Sequence, residues 1–341
     1  MIDPETLSEA LAALGQPAYR ARQVYEALTR GLVTSFADIS ALPRDLRTAL
    51  ARRLEPLTLE PREVRAAPDG AARKTLFATR DDLPVEAVLM TYSRRATVCV
   101  SSQVGCALGC AFCASGVHGL RRDLTAEEMV DQVLHFAREL RREARQVTNV
   151  VFMGMGEPFL NYDQTLRACR LLNDARGFGL AARGLSVSTA GVLPGIRRFT
   201  AEPLQMNLAV SLHAATDELR DRLMPLNRRY RLDELFSACA DYTSARRRKL
   251  FFEYVVLAGV NDGDDQVAAL AGRLRRPLYH LNLIGYNETG GEFARPRARE
   301  LAVFRDKLKT AGISCTLRRS PGEEIEAACG QLALRMPQQE D

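Results

Sequence analysis

The 341-residue sequence predicts an α/β fold: a parallel sheet of strand–helix units, preceded by a small helical module and a β-hairpin. Three periodicities carry that expectation. Apolar residues recur at helical spacing over the first sixty positions, alternate with period two between Lys74 and Tyr92, and from about residue 95 onward form short strand runs separated by amphipathic helical patterns.

Taken in order, Asp3-Pro4 supplies an N-cap and a proline at the first helical position, and Leu7, Leu11 and Leu14 hold one face up to Gly15. Over 19–28, Val24 and Leu28 share a face while Arg20 and Arg22 lie toward another. The hairpin runs Thr75 to Ala78 and Val85 to Leu89 around the turn Asp81-Asp82-Leu83-Pro84, with Glu86 as a carboxylate among apolar neighbours. Strands follow at Thr97 to Val104, Asn149 to Met153, Leu185 to Ser188, Leu208 to Leu212, Leu250 to Leu257 and Leu278 to Ile284. Helices are expected at 125–143, 162–174, 192–200, 217–224 with 232–246, and 264–275. Six strand-then-helix units require crossovers and hence a parallel sheet, curled into a full or partial barrel or left open and doubly wound. Either architecture gathers chemistry at the C-terminal ends of the strands.

Composition excludes a fibre, a disordered majority and a membrane span: 46% of residues are apolar, 26% are charged, and no run approaches the roughly 18 apolar residues a span needs. Met1-Ile2-Asp3-Pro4-Glu5 has no basic or apolar leader, so a cytoplasmic location is expected. A net charge of +5 favours a polyanionic partner. Eight cysteines are unevenly spread: Cys99, Cys106, Cys110 and Cys113 fall within fifteen residues, and Cys169, Cys239, Cys315 and Cys329 are scattered. A structural disulfide framework is excluded for a chain of this size in a reducing compartment, which leaves metal or redox chemistry.

Cys106-x3-Cys110-x2-Cys113 is the strongest motif. Three thiolates this close can hold one corner of a [4Fe–4S] cube and leave one iron without a protein ligand. A structural zinc site prefers four ligands in two close pairs, and neither Cys99 nor His118 completes such a pattern. Gly154-Met155-Gly156-Glu157-Pro158 follows the second strand, where glycines permit close backbone approach to a ligand or simply form a turn. Ser188 ends the third strand, and Ser211, Leu212 and His213 end the fourth, placing short polar groups on the same rim. Taken alone, Cys99 and Cys329 read as small buried residues, as do Cys169, Cys239 and Cys315. An inward-facing Glu86 is able to accept a proton; an outward-facing one is merely solvated.

With its Cys-x3-Cys-x-aromatic-Cys signature the chain resembles radical SAM enzymes. Cys99-Val-Ser-Ser-Gln-Val-Gly-Cys106, Gly154 to Pro158, Ser188-Thr-Ala-Gly191, Ser211-Leu-His213 and Ala327-Ala-Cys-Gly-Gln-Leu332 resemble, more narrowly, the RlmN/Cfr family of RNA adenosine methyltransferases, over about Gly15 to Leu334. That resemblance implies a radical SAM partial (β/α)6 barrel over 96–290, a helical RNA-binding accessory domain over 1–60, a β-hairpin linker over 61–95, and an extension over 291–341 carrying a methyl-carrier cysteine. It implies a [4Fe–4S] cluster on Cys106, Cys110 and Cys113, with S-adenosylmethionine (SAM) bound by Gly156, Glu157, Ser188, Ser211, Leu212, His213 and Asn287. Cys329 becomes the methyl carrier, Cys99 the thiol that resolves a covalent adduct through a transient Cys99–Cys329 disulfide, and Glu86 or Cys99 the base.

The implied reaction is methylation of adenine C2 in 23S rRNA and tRNA, with methylation at C8 as the alternative within the family and a non-catalytic, metal-containing RNA-binding protein as the alternative outside it. A flavodoxin-like reductant and a monomeric, membrane-free enzyme complete the expectation. Basic clusters at Arg20/Arg22, Arg121/Arg122, Arg138/Arg141/Arg142, Arg228/Arg229/Arg231, Arg246 to Lys249 and Arg318/Arg319 are candidate phosphate contacts, Arg20 and Arg22 foremost. The chain departs from the family pattern at Leu120-Arg121-Arg122-Asp123 and at Glu288-Thr289-Gly290-Gly291.

Overall fold

The computed structural model describes residues 3–318 and 321–333. Arg319, one of the candidate phosphate contacts, and Leu334, where the family resemblance ends, lie outside the described residues.

The chain opens with three helices, α1 (Pro4–Ala12), α2 (Tyr19–Thr29) and α3 (Arg44–Ala51). Asp3 caps α1 as expected, its Oδ1 accepting the N–H groups of Glu5 at 2.9 Å and Thr6 at 3.1 Å. Leu7, Leu11, Val24, Leu28, Leu46 and Leu50 turn inward into the main core of the protein. The helical module therefore has no separate core of its own.

Three antiparallel strands follow, β1 (Leu59–Ala66), β2 (Ala72–Thr79) and β3 (Pro84–Thr91). The expected hairpin is thus the inner pair of a meander, and β1 is its outer edge. Beyond β3 the sheet continues through β4 (Ala96–Val100), antiparallel to β3, and then parallel through β7 (Asn149–Phe152), β8 (Leu185–Thr189), β9 (Asn207–Ser211), β10 (Leu250–Val256), β11 (Tyr279–Gly285) and β12 (Cys315–Arg318). The order β1-β2-β3-β4-β7-β8-β9-β10-β11-β12 is linear. All six expected strands are present, and β12 adds a seventh parallel strand.

The expected strand Thr97 to Val104 is divided. β4 stops at Val100, Ser101 and Ser102 bend the chain, and β5 (Gln103–Gly105) pairs instead with β6 (Leu120–Asp123) in a separate two-stranded sheet. The bend is held by Gln132, whose amide accepts the Ser101 N–H at 2.8 Å and donates to the Ser101 carbonyl at 3.1 Å.

After the short α4 (Ala114–Val117), helices α5 (Ala126–Arg142), α6 (Tyr162–Asn173), α7 (Leu193–Ala201), α8 (Asp217–Leu223), α9 (Leu232–Arg246), α10 (Asp264–Arg273) and α11 (Ala298–Thr310) connect the parallel strands. α5 starts with a reciprocal cap, Thr125 Oγ1 accepting the Glu128 N–H at 3.2 Å while Glu128 accepts the Thr125 N–H at 2.9 Å. Among the described residues, no helix is long and apolar enough to cross a membrane.

Several expected phosphate contacts also bond within the chain. Arg138 donates to the Leu32 carbonyl at 3.0 Å and Arg141 to that of Gly31 at 2.7 Å, tying α5 to the chain just after α2. Arg231 pairs with Asp221 at 2.8 Å, and Arg246 donates to the Leu204 carbonyl at 2.8 Å. Arg20 donates to Ala41 O and Gln23, whereas Arg22 stays exposed in an i,i+4 pair with Glu26.

Candidate active site

The C-terminal ends of the parallel strands surround a cavity of about 160 Å³. Cys106, Cys110 and Cys113 line one side of it, and Gly156, Glu157, Ser188, Ser211 and His213 line the rim opposite. The cysteine loop is fastened at both ends. Cys106 N–H donates to Gly119 O at 2.9 Å, Ala111 N–H to Leu223 O at 3.0 Å, and Ala114 N–H to Gly330 O at 2.8 Å.

Burial pushes the Cys106 thiol up to about 12 and that of Cys110 well above its ordinary range, and neighbouring Cys113 adds to both shifts. Three thiolates held together in such a place require a cation to balance them. Among the described residues, no three His, Cys, Asp or Glu side chains stand close enough to clasp a single metal ion. Three thiols on one loop suit a cube, in which each sulfur binds a different iron, better than the four-ligand shell of a structural zinc ion.

Glu157 is buried and cross-links two strand ends. Its Oε1 accepts the Phe159 N–H at 2.9 Å and its Oε2 the Ala190 N–H at 2.7 Å. Burial outweighs those hydrogen bonds and pushes its carboxyl up to about 7, so a cationic ligand entering the cavity favours the charged form. His213 adopts a left-handed backbone (φ 56°), accepts the Val255 N–H on Nδ1 at 2.9 Å, and packs edge-on against Phe112. Burial, with Arg220 nearby, lowers its pKa to about 3 and keeps the ring neutral with its proton on Nε2. The Ser188 and Ser211 hydroxyls line the cavity without a hydrogen-bond partner among the described residues.

Gly154 and Gly156 line the cavity and also have a packing purpose. A Cβ on Gly154 would lie 2.6 Å from Ser101 Oγ, and one on Gly156 would lie 2.5 Å from Gln103 Cβ. The glycines therefore let the 154–158 turn press against the Ser101–Gln103 bend, where Ser102 and Gln103 both donate to Met155 O. Leu212 is not brought to the cavity at all. Its side chain is in the main core, its N–H donates to Glu253 O at 2.9 Å, and its carbonyl accepts from Arg220 at 3.1 Å. Asn287 also lies outside the cavity wall: its Nδ2 donates to Cys329 O at 3.1 Å, and its buried Oδ1 has no partner, an acceptor that a ligand donor would satisfy.

A second, smaller cavity of about 80 Å³ adjoins the first, and both Cys99 and Cys329 line it. Cys113, Arg318 and Cys329 border both cavities. Cys99 sits on β4 between Val88 of β3 and Val151 of β7, and Cys329 arrives on the C-terminal loop, 230 residues later in the chain. Cys329 has exposed surface, which lines these cavities, so the sulfur is reachable although surrounded by protein. Burial raises both thiols, Cys99 to about 12, while Arg318 opposes the rise at each. Cys169, Cys239 and Cys315 are buried in the core, as expected.

Glu86 faces inward, but both its oxygens are engaged. Oε1 pairs with Lys74 Nζ at 2.9 Å and Oε2 accepts the Ala333 N–H at 2.7 Å; neither cavity includes it. Sequence reasoning missed two charged residues, Glu253 and Arg220, and read a third, Arg318, as a candidate phosphate contact. Glu253 and Arg318 form a 3.0 Å ion pair on the cavity wall, and Arg220 is buried, donating to Ala190 O, Ser211 O and Leu212 O at the strand ends. The available signal was the one that singles out Glu86, a charge inside an apolar strand run: Glu253 in Phe-Phe-Glu-Tyr-Val-Val and Arg318 in Cys-Thr-Leu-Arg.

A parallel-strand rim facing a three-cysteine loop defines a radical SAM enzyme, and residues 100–271 match the Radical SAM superfamily. The chain is 47% identical to a radical SAM methyltransferase from Sphaerobacter thermophilus, whose crystal structure it matches with a TM-score of 0.95 over 98% of each chain. It is 45% identical to the probable dual-specificity RNA methyltransferase RlmN of Chloroflexus aurantiacus, over 96% of this chain and 90% of that one. Identity to the RlmN of Roseiflexus sp. (strain RS-1) is 42%, over 96% and 94%. The chain belongs to the RlmN family of radical SAM methyltransferases.

Proposed function

We propose that this enzyme methylates C2 of adenosine in 23S rRNA and tRNA by way of a methyl group carried on Cys329. The observation that carries the reading is the shared cavity: two cysteines 230 residues apart line one space, which borders the three-cysteine loop. Adenine C2 is not nucleophilic, so a direct displacement on SAM is closed to it. The Cys329 sulfur is a far better nucleophile and accepts the methyl first, releasing its own proton as the sulfonium–methyl bond of SAM breaks and S-adenosylhomocysteine leaves.

Cys106, Cys110 and Cys113 would hold a [4Fe–4S] cluster, with SAM toward Glu157, Ser188, Ser211 and His213; when bound, the two supply a 5′-deoxyadenosyl radical that abstracts hydrogen from the S-methyl group. Glu157 offers its carboxylate to the cationic amino group, and the serine hydroxyls remain available to ribose or carboxylate oxygens. After the methylene carbon has joined adenine C2, the adduct would return its unpaired electron to the cluster, and a base removes the ring proton. The Cys99 sulfur then attacks the Cys329 sulfur, the Cys329 sulfur–carbon bond breaks, the released carbon takes up a proton to complete the methyl group, and a Cys99–Cys329 disulfide remains for the external reductant to reopen. Cys99 lines the cavity, which favours it as that base; Glu86 is already committed to Lys74 and Ala333.

The test is nucleoside mass spectrometry of rRNA and tRNA from cells with and without the gene. Loss of 2-methyladenosine on deletion is the expected result. Loss of 8-methyladenosine instead would move the chemistry to C8, and an unchanged profile overturns the reading.

A further inference from the structure

The segment bearing Cys329 is tied at both ends to one buried ion pair on the hairpin. Lys74 Nζ of β2 lies 2.9 Å from Glu86 Oε1 of β3 and donates to Glu326 O at 3.0 Å. Glu86 Oε2 accepts the Ala333 N–H at 2.7 Å. The side chains of Lys74 and Glu86 are only 4% and 8% exposed. Burying an ion pair costs much of its attraction in lost hydration, so its contribution to stability is small, and what it fixes is an arrangement. Here the arrangement is the eight-residue span from Glu326 to Ala333, with Cys329 between its ends.

We infer that Lys74, with Glu86, is a positioning residue that sets the Cys329 sulfur against Cys99 and the adjoining cavity. The inference rests on the carrier role proposed for Cys329. Other bonds bear on the same segment: Ser115 Oγ donates to Leu332 O at 3.0 Å, and Gln331 Nε2 to Glu288 O at 3.2 Å. Arg65 of β1 adds an ion pair to Glu326 at 3.6 Å, but among the described residues the hairpin pair grips both ends through charged groups, and charge-assisted bonds hold geometry more firmly than neutral ones. Neither Lys74 nor Glu86 lines either cavity, so the pair acts through the loop and touches no substrate.

A positioning role predicts uncoupling. In the reconstituted holoenzyme with RNA, K74M continues to cleave SAM but delivers the methyl group poorly, so 5′-deoxyadenosine formed per methylated adenosine rises at least about tenfold, as expected when a reacting atom is displaced by a fraction of an ångström. Iodoacetamide labelling before SAM is added gives a readout independent of turnover. Read by peptide mass spectrometry, Cys329 labels several-fold faster in K74M, with buried Cys169 as the internal reference. K74R restores both measures toward wild type. Should K74M fail to fold, K74Q keeps an amide donor and is read in the same way. An unchanged ratio with unchanged labelling overturns the inference, as does a parallel fall in SAM cleavage and methylation. Absence of any methyl on Cys329 in the wild-type enzyme is the distinguishable failure, since it overturns the carrier role instead.

Discussion

The two walls of the active site are built in different ways. The strand-end wall is carried by consecutive parallel strands, and its groups are fixed by neighbours a few strands away: Glu157 by Phe159 and Ala190, His213 by Val255, the rim itself by Arg220. The Cys329 wall is a loop held by single bonds to elements up to 252 residues distant. The first wall binds by rigidity of the scaffold. The second places one reactive sulfur and, as proposed, must let it meet a cluster-bound substrate, an RNA base and a second thiol in turn.

Substitutions on the two walls should separate these roles. The largest effect is expected for Cys110→Ala, which removes a proposed cluster ligand: iron content and visible absorption fall after reconstitution, and both SAM cleavage and methylation disappear. Cys329→Ala divides the walls, reducing methylated RNA by at least about a thousandfold while the cluster and SAM cleavage persist. If both activities vanish together, the walls are not separable. Cys99→Ala should accumulate a covalent protein–RNA adduct, visible as a shifted band on a denaturing gel; turnover at the wild-type rate would remove Cys99 from the resolving step.

A smaller effect tests the strand-end wall by pH. Glu157 has a folded-state pKa of about 7, above the ordinary value of 4.5, so the folded protein holds the extra proton between those limits and loses stability as pH rises through them. The contribution is about 3 kcal/mol. His213, depressed to about 3, works in the opposite direction, losing stability as pH falls below 6.5. The difference between wild type and Glu157→Gln isolates the first slope: in cluster-free protein, the wild-type melting temperature should drop relative to the variant from pH 5 to pH 8. Parallel curves would sink the assignment. The smallest effect is expected at Arg22→Ala, on the helical module. Its exposed side chain leaves the melting temperature unchanged and RNA affinity reduced by at most about threefold, with the reduction lost at high salt.

The same contrast governs what the sequence reveals. The strand-end wall is legible because position along a strand is a local property: Ser188, Ser211 and His213 follow apolar runs, and the cluster cysteines are contiguous. The carrier loop is not, because nothing near Cys329 states that Lys74 and Glu86 hold it. From the residues alone Cys329 is a small buried cysteine; only the family resemblance assigns it a part. β1 escapes period-two reading because it is an exposed edge strand, Leu59-Glu-Pro-Arg-Glu-Val-Arg-Ala, polar on both faces. α11 carries Leu301, Phe304 and Leu308 inward and is within reach of the same helical periodicity used elsewhere. The departures from the family pattern also acquire reasons. Arg122 pairs with Asp81 at 2.6 Å and Glu128 at 2.9 Å, joining the hairpin turn to α5, and Thr289 hydrogen-bonds Tyr286 on the cavity wall at 2.7 Å.

The linear strand order has a consequence for how the protein is born. β1 and β12 stand at opposite edges of the sheet, and the loop reaching back to the hairpin is made last. The third cluster cysteine leaves the ribosome 216 residues before Cys329, an interval of about 10 to 40 s at ordinary elongation rates. Throughout that interval the cysteine loop lacks its Gly330 and Leu332 contacts. A prematurely terminated chain ending before Cys329 would contain every proposed cluster ligand and lack the proposed methyl carrier.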